Sequence, residues 1–350
     1  MRFPIVFLLT TSLVATAAAL ASAAALAGAS ALAASAEPPA LPDLASYALV
    51  RPDSGTPLSV DQAADMLKDY DVVFVGELHD HTGNHLAEMA LFRALHARAP
   101  ALALSMEQFE RDVQPVLDDY LAGRIGEDAL RQKGRAWGNY AEAYRPLVEY
   151  AKAHALPVIA ANAPGKVVLC VGAEGPEFLS RMKPAERGWA AAELHTENGP
   201  YKDKFLRFLA EDPLHGRADA DKSAGPSAAD LRSFAAQVTR DDTMAESIAL
   251  YLEKHPIGKV VHIAGDFHVE SFLGTVERLK SRAPNLKVAV VAPVEVENPD
   301  RAASRVSDKA LGTLLVLLRE LPKEYATEAE KNADIAEQRK NFRVRTTCAL

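Results

Sequence analysis

At 350 residues, with 49% apolar and 25% charged residues, the chain has the make-up of an ordinary folded protein rather than a disordered one. A net charge of −8 with few basic clusters argues against a nucleic-acid surface. Cys170 and Cys348 are too few for a disulfide scaffold, although they can pair in an oxidising compartment.

Residues 1–36 carry one Arg near the start, a long alanine-rich apolar stretch and a small-x-small end at Ala34-Ser35-Ala36, which reads as an export signal. The run is long enough to span a bilayer, so a retained anchor is the alternative. No Cys lies near the junction to carry a lipid, and a chain without that lipobox is expected to be secreted or periplasmic. Ser59 to Lys68 repeats apolar residues at helical spacing, and Asp71 to Val75 is a buried strand. The alternation continues with a strand at 101–106, helices at 113–121 and 140–154, and a strand at 157–161. Then come a long helix at 228–254, a strand at 259–264, a helix at 269–282, and strands at 288–292 and 312–318.

This order predicts an α/β fold, a mostly parallel sheet flanked by helices, over residues 37–322. A helical insertion is expected at about 165–228, ending in a mobile loop from His215 to Ala228. Residues 323–350 read as a charged tail that is loose after Ala336.

One motif occurs twice. Gly76-Glu77-Leu78-His79 follows the apolar run 71–75, and Gly265-Asp266-Phe267-His268 follows the run 259–264. Both fall at the carboxyl end of a predicted strand, the edge at which open parallel sheets bind ligands. Glu107 ends the strand 101–106 in the same way. If these strands are neighbours, His79, Glu107 and His268 share one crevice, where they can hold a divalent transition metal such as Mn, Co or Zn, or act as base and orienter in hydrolysis. His81 and His85 lie four apart and either share a helix face or belong to its cap.

Further on, "AWGNYAEAYRPLVEYAKAHALPVIAAN" holds Trp137, Tyr140, Tyr144 and Tyr150. Tyr140 and Tyr144 are one helical turn apart and either pack over the sheet or stack on a flat ligand, with a phenolate on iron.

Five blocks, "FVGELHDHTGNHLAEMALFRAL", "SMEQFERDVQPVLDDYLAG", "YRPLVEYAKAHALPVIAANAP", "AAQVTRDDTMAESIALYL" and "VVHIAGDFHVESFLGTVERL", resemble in order and spacing the ChaN-like haem-binding uptake proteins. Those proteins are related to the Tiki and TraB group and, more distantly, to erythromycin-esterase-like enzymes. The resemblance spans roughly residues 65–295. It implies an exported protein of iron acquisition that holds haem, with two haems stacked in a homodimer or passed on by an outer-membrane haem receptor. It also implies a tyrosine ligand to iron, Tyr144 with Tyr140 as the alternative, and haem contacts from His79 and His268. The same resemblance offers a second function, a metal-dependent peptidase or esterase. There His79 and His268 match the paired Gly-x-x-His motifs, and Glu77 and Glu107 match the acidic positions. The chain departs from the pattern in lacking the lipobox Cys and in carrying Phe267, which is expected to narrow the crevice. Asp241, Asp242 and Met244 are expected on a helix packed beneath the site, with Met244 in the core.

Overall fold

The apolar runs become strands of a single eight-stranded sheet in the order β2-β1-β8-β7-β3-β6-β4-β5. The elements in chain order are β1 (Tyr47–Val50), β2 (Pro57–Leu58), α1 (Val60–Leu67), β3 (Val72–Glu77), α2 (Thr82–His96), β4 (Leu102–Glu110), α3 (Gln114–Leu121), α4 (Glu127–Lys133), α5 (Tyr140–Ala143), α6 (Arg145–Ala153), β5 (Val158–Asn162), α7 (Gly165–Glu174), α8 (Pro184–Arg187), α9 (Pro200–Glu211), α10 (Ala228–Lys254), β6 (Lys259–Gly265), α11 (Thr275–Arg282), β7 (Val288–Val296), β8 (Leu314–Arg319) and α12 (Glu328–Asn341). The computed structural model describes residues 39–211, 225–301, 310–341 and 348, without the side chains of 338–341. The expected export signal, and most of the expected loop at 215–228, lie outside the described residues. Among the described residues, no helix is long and apolar enough to cross a membrane.

The strands from β8 to β5 are parallel, and the β1–β2 hairpin closes one edge antiparallel to β8. Side chains alternate between two cores, as the period of two in a strand requires. Val73, Val75, Leu104, Met106, Val261 and Ile263 face α1 to α6. Val72, Phe74, Ala103, Val260 and Ala264 face Met244, Ile248 and Leu252 of α10 and Val276 and Leu279 of α11. Burial on both faces is why the parallel strands read as unbroken apolar runs.

Several expectations are corrected. The helix expected at 140–154 is two helices that meet at Tyr144, because Pro146 enters α6 in its first turn and its ring cannot continue the helix before it. The helix expected at 269–282 begins only at Thr275, since Ser271, Phe272 and Gly274 all take positive φ and hold the preceding segment in short 3-10 turns. The strand expected at 101–106 continues to Glu110, so Glu107 lies within it. The charged tail is helical at 328–341, including the residues 337–341 expected to be loose; of the residues beyond it only Cys348 is described.

Inside the insertion, Cys170 on α7 is bridged to Cys348, 178 residues away. Cys170 is fully buried among Val167, Val171, Phe178 and Ala235.

Candidate functional site

Strands β3 and β6 end side by side, with Glu77 in register with Gly265, and β4 pairs with the other side of β6. The two Gly-acid-apolar-His turns are therefore neighbours, and they interlock. A Cβ on Gly76 would lie 2.6 Å from Asp266 Oδ1, and a Cβ on Gly265 would lie 2.7 Å from His79 Nε2. Each turn thus packs a functional side chain onto the other's glycine, an approach open only to a residue without a side chain.

His79 stands at the rim. Its Nδ1 is 2.9 Å from Glu77 Oε1, and its side chain keeps 41% of its surface exposed. The Glu77 carboxylate is wholly buried, and the same Oε1 accepts Tyr144 Oη–H at 3.2 Å and Gln108 Nε2–H. Burial, with the charge of Glu88 beside it, pushes the Glu77 carboxyl up to about 7, against the opposing pull of His79 and His85. The rings of His85, Tyr144, Trp137 and His79 then form a chain of edge-to-face contacts, with centroids 5.3, 5.9 and 5.0 Å apart.

Deeper in the crevice, His268 lies between two carboxylates, with Asp241 Oδ1 2.8 Å from its Nδ1 and Glu107 Oε1 3.5 Å from its Nε2. Asp241 is fixed in turn by Tyr201 Oη–H at 2.7 Å and Thr275 Oγ1–H at 3.0 Å, and Glu107 by the backbone N–H of Gly265 at 2.8 Å. Burial works against charge on all three groups. The attraction of Glu107 and Asp241 nevertheless holds His268 above its ordinary range, while His268 and His79 hold Glu107 below its own. An imidazole oriented by one carboxylate and facing a second can hold a cation or move a proton.

His79, Glu107 and His268 thus converge, and Glu77 orients the first of them. Tyr144 and Tyr140 are almost wholly buried: the Tyr144 hydroxyl is given to Glu77, and the Tyr140 ring meets Phe109 at 6.1 Å. Burial raises both phenols above their ordinary range, with the charges of Glu77 and Glu88 adding to the rise at Tyr144. His81 is buried as the N-cap of α2, with Nε2 on the Arg319 carbonyl at 2.7 Å, whereas His85 turns inward to Glu77 and Glu88. Phe267 packs against Tyr201, Phe205 and Phe208. Met244 is in the core as expected.

Sequence reasoning placed Asp241 beneath the site without giving it a part in it, and missed Gln108 and Glu88. The signal available for Asp241 was a pair of acids on α10 between the buried Val238 and Met244, where a helix packed on a sheet tolerates charge only with a partner. Its neighbour Asp242 turns to a different set: Arg282 Nη1 at 2.7 Å, Arg278 Nε at 3.5 Å, and His195 through Nδ1 at 2.8 Å and its backbone N–H at 2.7 Å. Asp242 therefore ties the insertion and α11 to α10.

His262, mid-strand in β6, is buried with Nδ1 on Ser105 Oγ at 2.9 Å and its ring against Phe74. Burial pushes it down from 6.5 to about 3. The unfolded chain therefore takes up a proton below about pH 6.5 that the folded chain refuses, so this contribution to stability is complete above that pH and is lost as pH falls. Between pH 7 and pH 5 the wild type is expected to lose about 2 kcal/mol relative to His262→Phe in denaturant titrations. A difference that does not move with pH would mean that His262 titrates normally in the fold.

A family model described as "Haem-binding uptake, Tiki superfamily, ChaN" matches residues 63–279. Among solved structures, the chain resembles ChaN of Campylobacter jejuni, described as binding haem cofacially, with TM-score 0.57 and 13% identity over 78% of this chain and 97% of that one. It also resembles an erythromycin esterase mutant in its open conformation, with TM-score 0.42 and 14% identity over 83% of this chain and 87% of that one. No curated protein matches the sequence.

Proposed function

Because the chain belongs to the haem-binding uptake family of the Tiki superfamily, ChaN, we propose that it is an exported haem-binding protein of iron and haem acquisition in which His79 meets the haem iron. The observation that carries this is the state of His79. It is the exposed imidazole of the converged set, and Glu77 on its Nδ1 leaves Nε2 as the lone pair, the arrangement by which a carboxylate fixes a metal-ligating histidine. Trp137, edge-on at 5.0 Å, supplies an apolar wall beside it. The donor set therefore fits an iron porphyrin. Tyr144 enters this reading as support: it holds Glu77, which holds His79. As an iron ligand itself, Tyr144 or Tyr140 has first to leave the core. The Cys170–Cys348 bridge supports export, since such bridges persist outside the reducing cytosol. A homodimer around haem and transfer to an outer-membrane receptor belong to the same proposal.

Titration of the purified protein with hemin is expected to show saturable binding. His79→Ala should weaken it by about tenfold or more and change the ligand-sensitive visible bands, while Tyr144→Phe keeps the same ligand signature. Loss of the spectrum in Tyr144→Phe, with wild-type behaviour in His79→Ala, would move the iron to the tyrosine.

A second reading, a metal-dependent peptidase or esterase, is favoured by one observation, the Asp241–His268–Glu107 chain, which haem ligation by His79 does not use. Glu107→Gln discriminates: hemin binding is retained under the first reading, and any hydrolysis is lost under the second.

A further inference from the structure

Behind His79 lies a smaller and more enclosed group. Glu77 and Glu88 have fully buried side chains, and His85 between them exposes 11% of its own. Each carboxylate has one oxygen occupied: Glu77 Oε1 accepts from His79, Gln108 and Tyr144, and Glu88 Oε1 accepts from Asn84 Nδ2 at 2.8 Å. The remaining oxygens turn toward His85. Glu88 Oε2 is 3.1 Å and Glu77 Oε2 is 3.5 Å from its Nδ1, and Glu77 Oε2 has no hydrogen-bond partner among the described residues.

The other ring nitrogen decides what Nδ1 is. His85 Nε2 lies 2.8 Å from the His79 carbonyl, which can only accept, so Nε2 carries a proton. Nδ1 faces two carboxylate oxygens, so a positive charge belongs between the three atoms: either a second proton on Nδ1, which both carboxylates favour, or a metal ion bound by the Nδ1 lone pair in the proton's place. The 3.1 and 3.5 Å that separate Nδ1 from the two oxygens are spacings of donors around one ion, since ligands at about 2.0–2.2 Å from a metal stand roughly 3.0–3.5 Å apart. The surroundings are those of a metal site as well: the imidazole gives its second N–H to a carbonyl, and both carboxylates are braced by amide donors.

We propose that Glu77, His85 and Glu88 form a site for a divalent first-row transition metal ion, distinct from the Glu107 and His268 cluster and independent of the haem reading. One nitrogen and two carboxylate oxygens suit Zn2+ and its neighbours, leaving further positions for water. The ion replaces the proton that otherwise bridges His85 to the carboxylates. Because Glu77 is shared, the ion sits one residue behind His79 and draws on the same carboxylate that orients it.

The test is metal binding by untagged, haem-free protein after removal of metals with a chelator, with Zn2+ titrated by calorimetry and Co2+ by visible absorption. One ion per chain is expected. His85→Gln and the nearly isosteric Glu88→Gln should each weaken binding by about tenfold or more, while His96→Gln, on the same helix outside the cluster, has no effect. Binding that survives both cluster substitutions, or that is lost in His268→Gln but kept in His85→Gln, overturns the site. Should both cluster variants fail to fold, the wild type decides: Co2+ must shift the ring resonances of His85, and an ion that leaves them in place overturns the proposal. Hemin plays no part in this titration, so failure of haem binding and failure of the metal site are read separately.

Discussion

Asp242→Ala is expected to destabilise the fold by about 3–5 kcal/mol, because it removes the partner of buried cations without removing the cations. Asp242 is fully buried and meets Arg282, Arg278 and His195, and the Arg278 side chain is only 4% exposed. With the carboxylate gone, the Arg278 guanidinium keeps Glu277 and the carbonyls of Gly274 and His195, but of the two fully buried carboxylates that offset its charge it retains Asp241, which also serves His268, Tyr201 and Thr275. The insertion should loosen first, since His195 is attached to α10 through Asp242 by both its ring and its backbone. Equilibrium denaturation and proteolysis between residues 190 and 211 would report the two effects. Asp119, half-exposed and paired with Arg124, is the control, and Asp119→Ala should cost less than about 1 kcal/mol. Similar losses at the two positions would refute the argument from burial.

Reduction of the Cys170–Cys348 bridge is the second large effect. A cross-link between residues 178 apart removes much of the freedom of the unfolded chain, and its loss is expected to cost on the order of 4 kcal/mol. The cleaner variant is Cys348→Ser, since Cys348 is only partly buried while Cys170 sits in the core of the insertion. Unreduced Cys348→Ser and reduced wild type should unfold at the same denaturant concentration, well below that of the oxidised wild type. If reductant does not move the wild-type midpoint, the bridge contributes nothing.

The strands were legible because their signal is local. Residues 72–75 and, His262 apart, 260–264 are apolar on both faces, the pattern of a strand covered on both sides. The twin motifs were legible too, and their convergence followed from sheet topology: β3 and β6 are adjacent, so identical turns at their ends meet. What stayed hidden depends on long-range packing. Helical spacing put Tyr140 and Tyr144 on one face but could not say that the face looks into the core, where Tyr144 supports Glu77. The same limit applies to His81 and His85: one caps α2 and the other reaches Glu88, a difference set by which turn the helix starts on. The expected helix at 269–282 failed over its first six residues because the positive φ of Ser271, Phe272 and Gly274 leaves no trace in apolar periodicity, and only Gly274 advertises one of them.

The strand order carries a consequence for how the molecule is made. β3 and β4, which are synthesised early, never bond to each other; each bonds to β6, which comes late in the chain and fits between them. Until β6 arrives, β3 has neither of its sheet neighbours, since β7 comes later still, and β4 has β5 alone; the gap between them is bordered by unpaired backbone edges of apolar strands, the kind of surface that invites pairing with other chains. The same late strand brings Gly265 and His268, so closing the gap and assembling the crevice are one event. A chain stalled or cut before residue 259 has a hazard in place of a site.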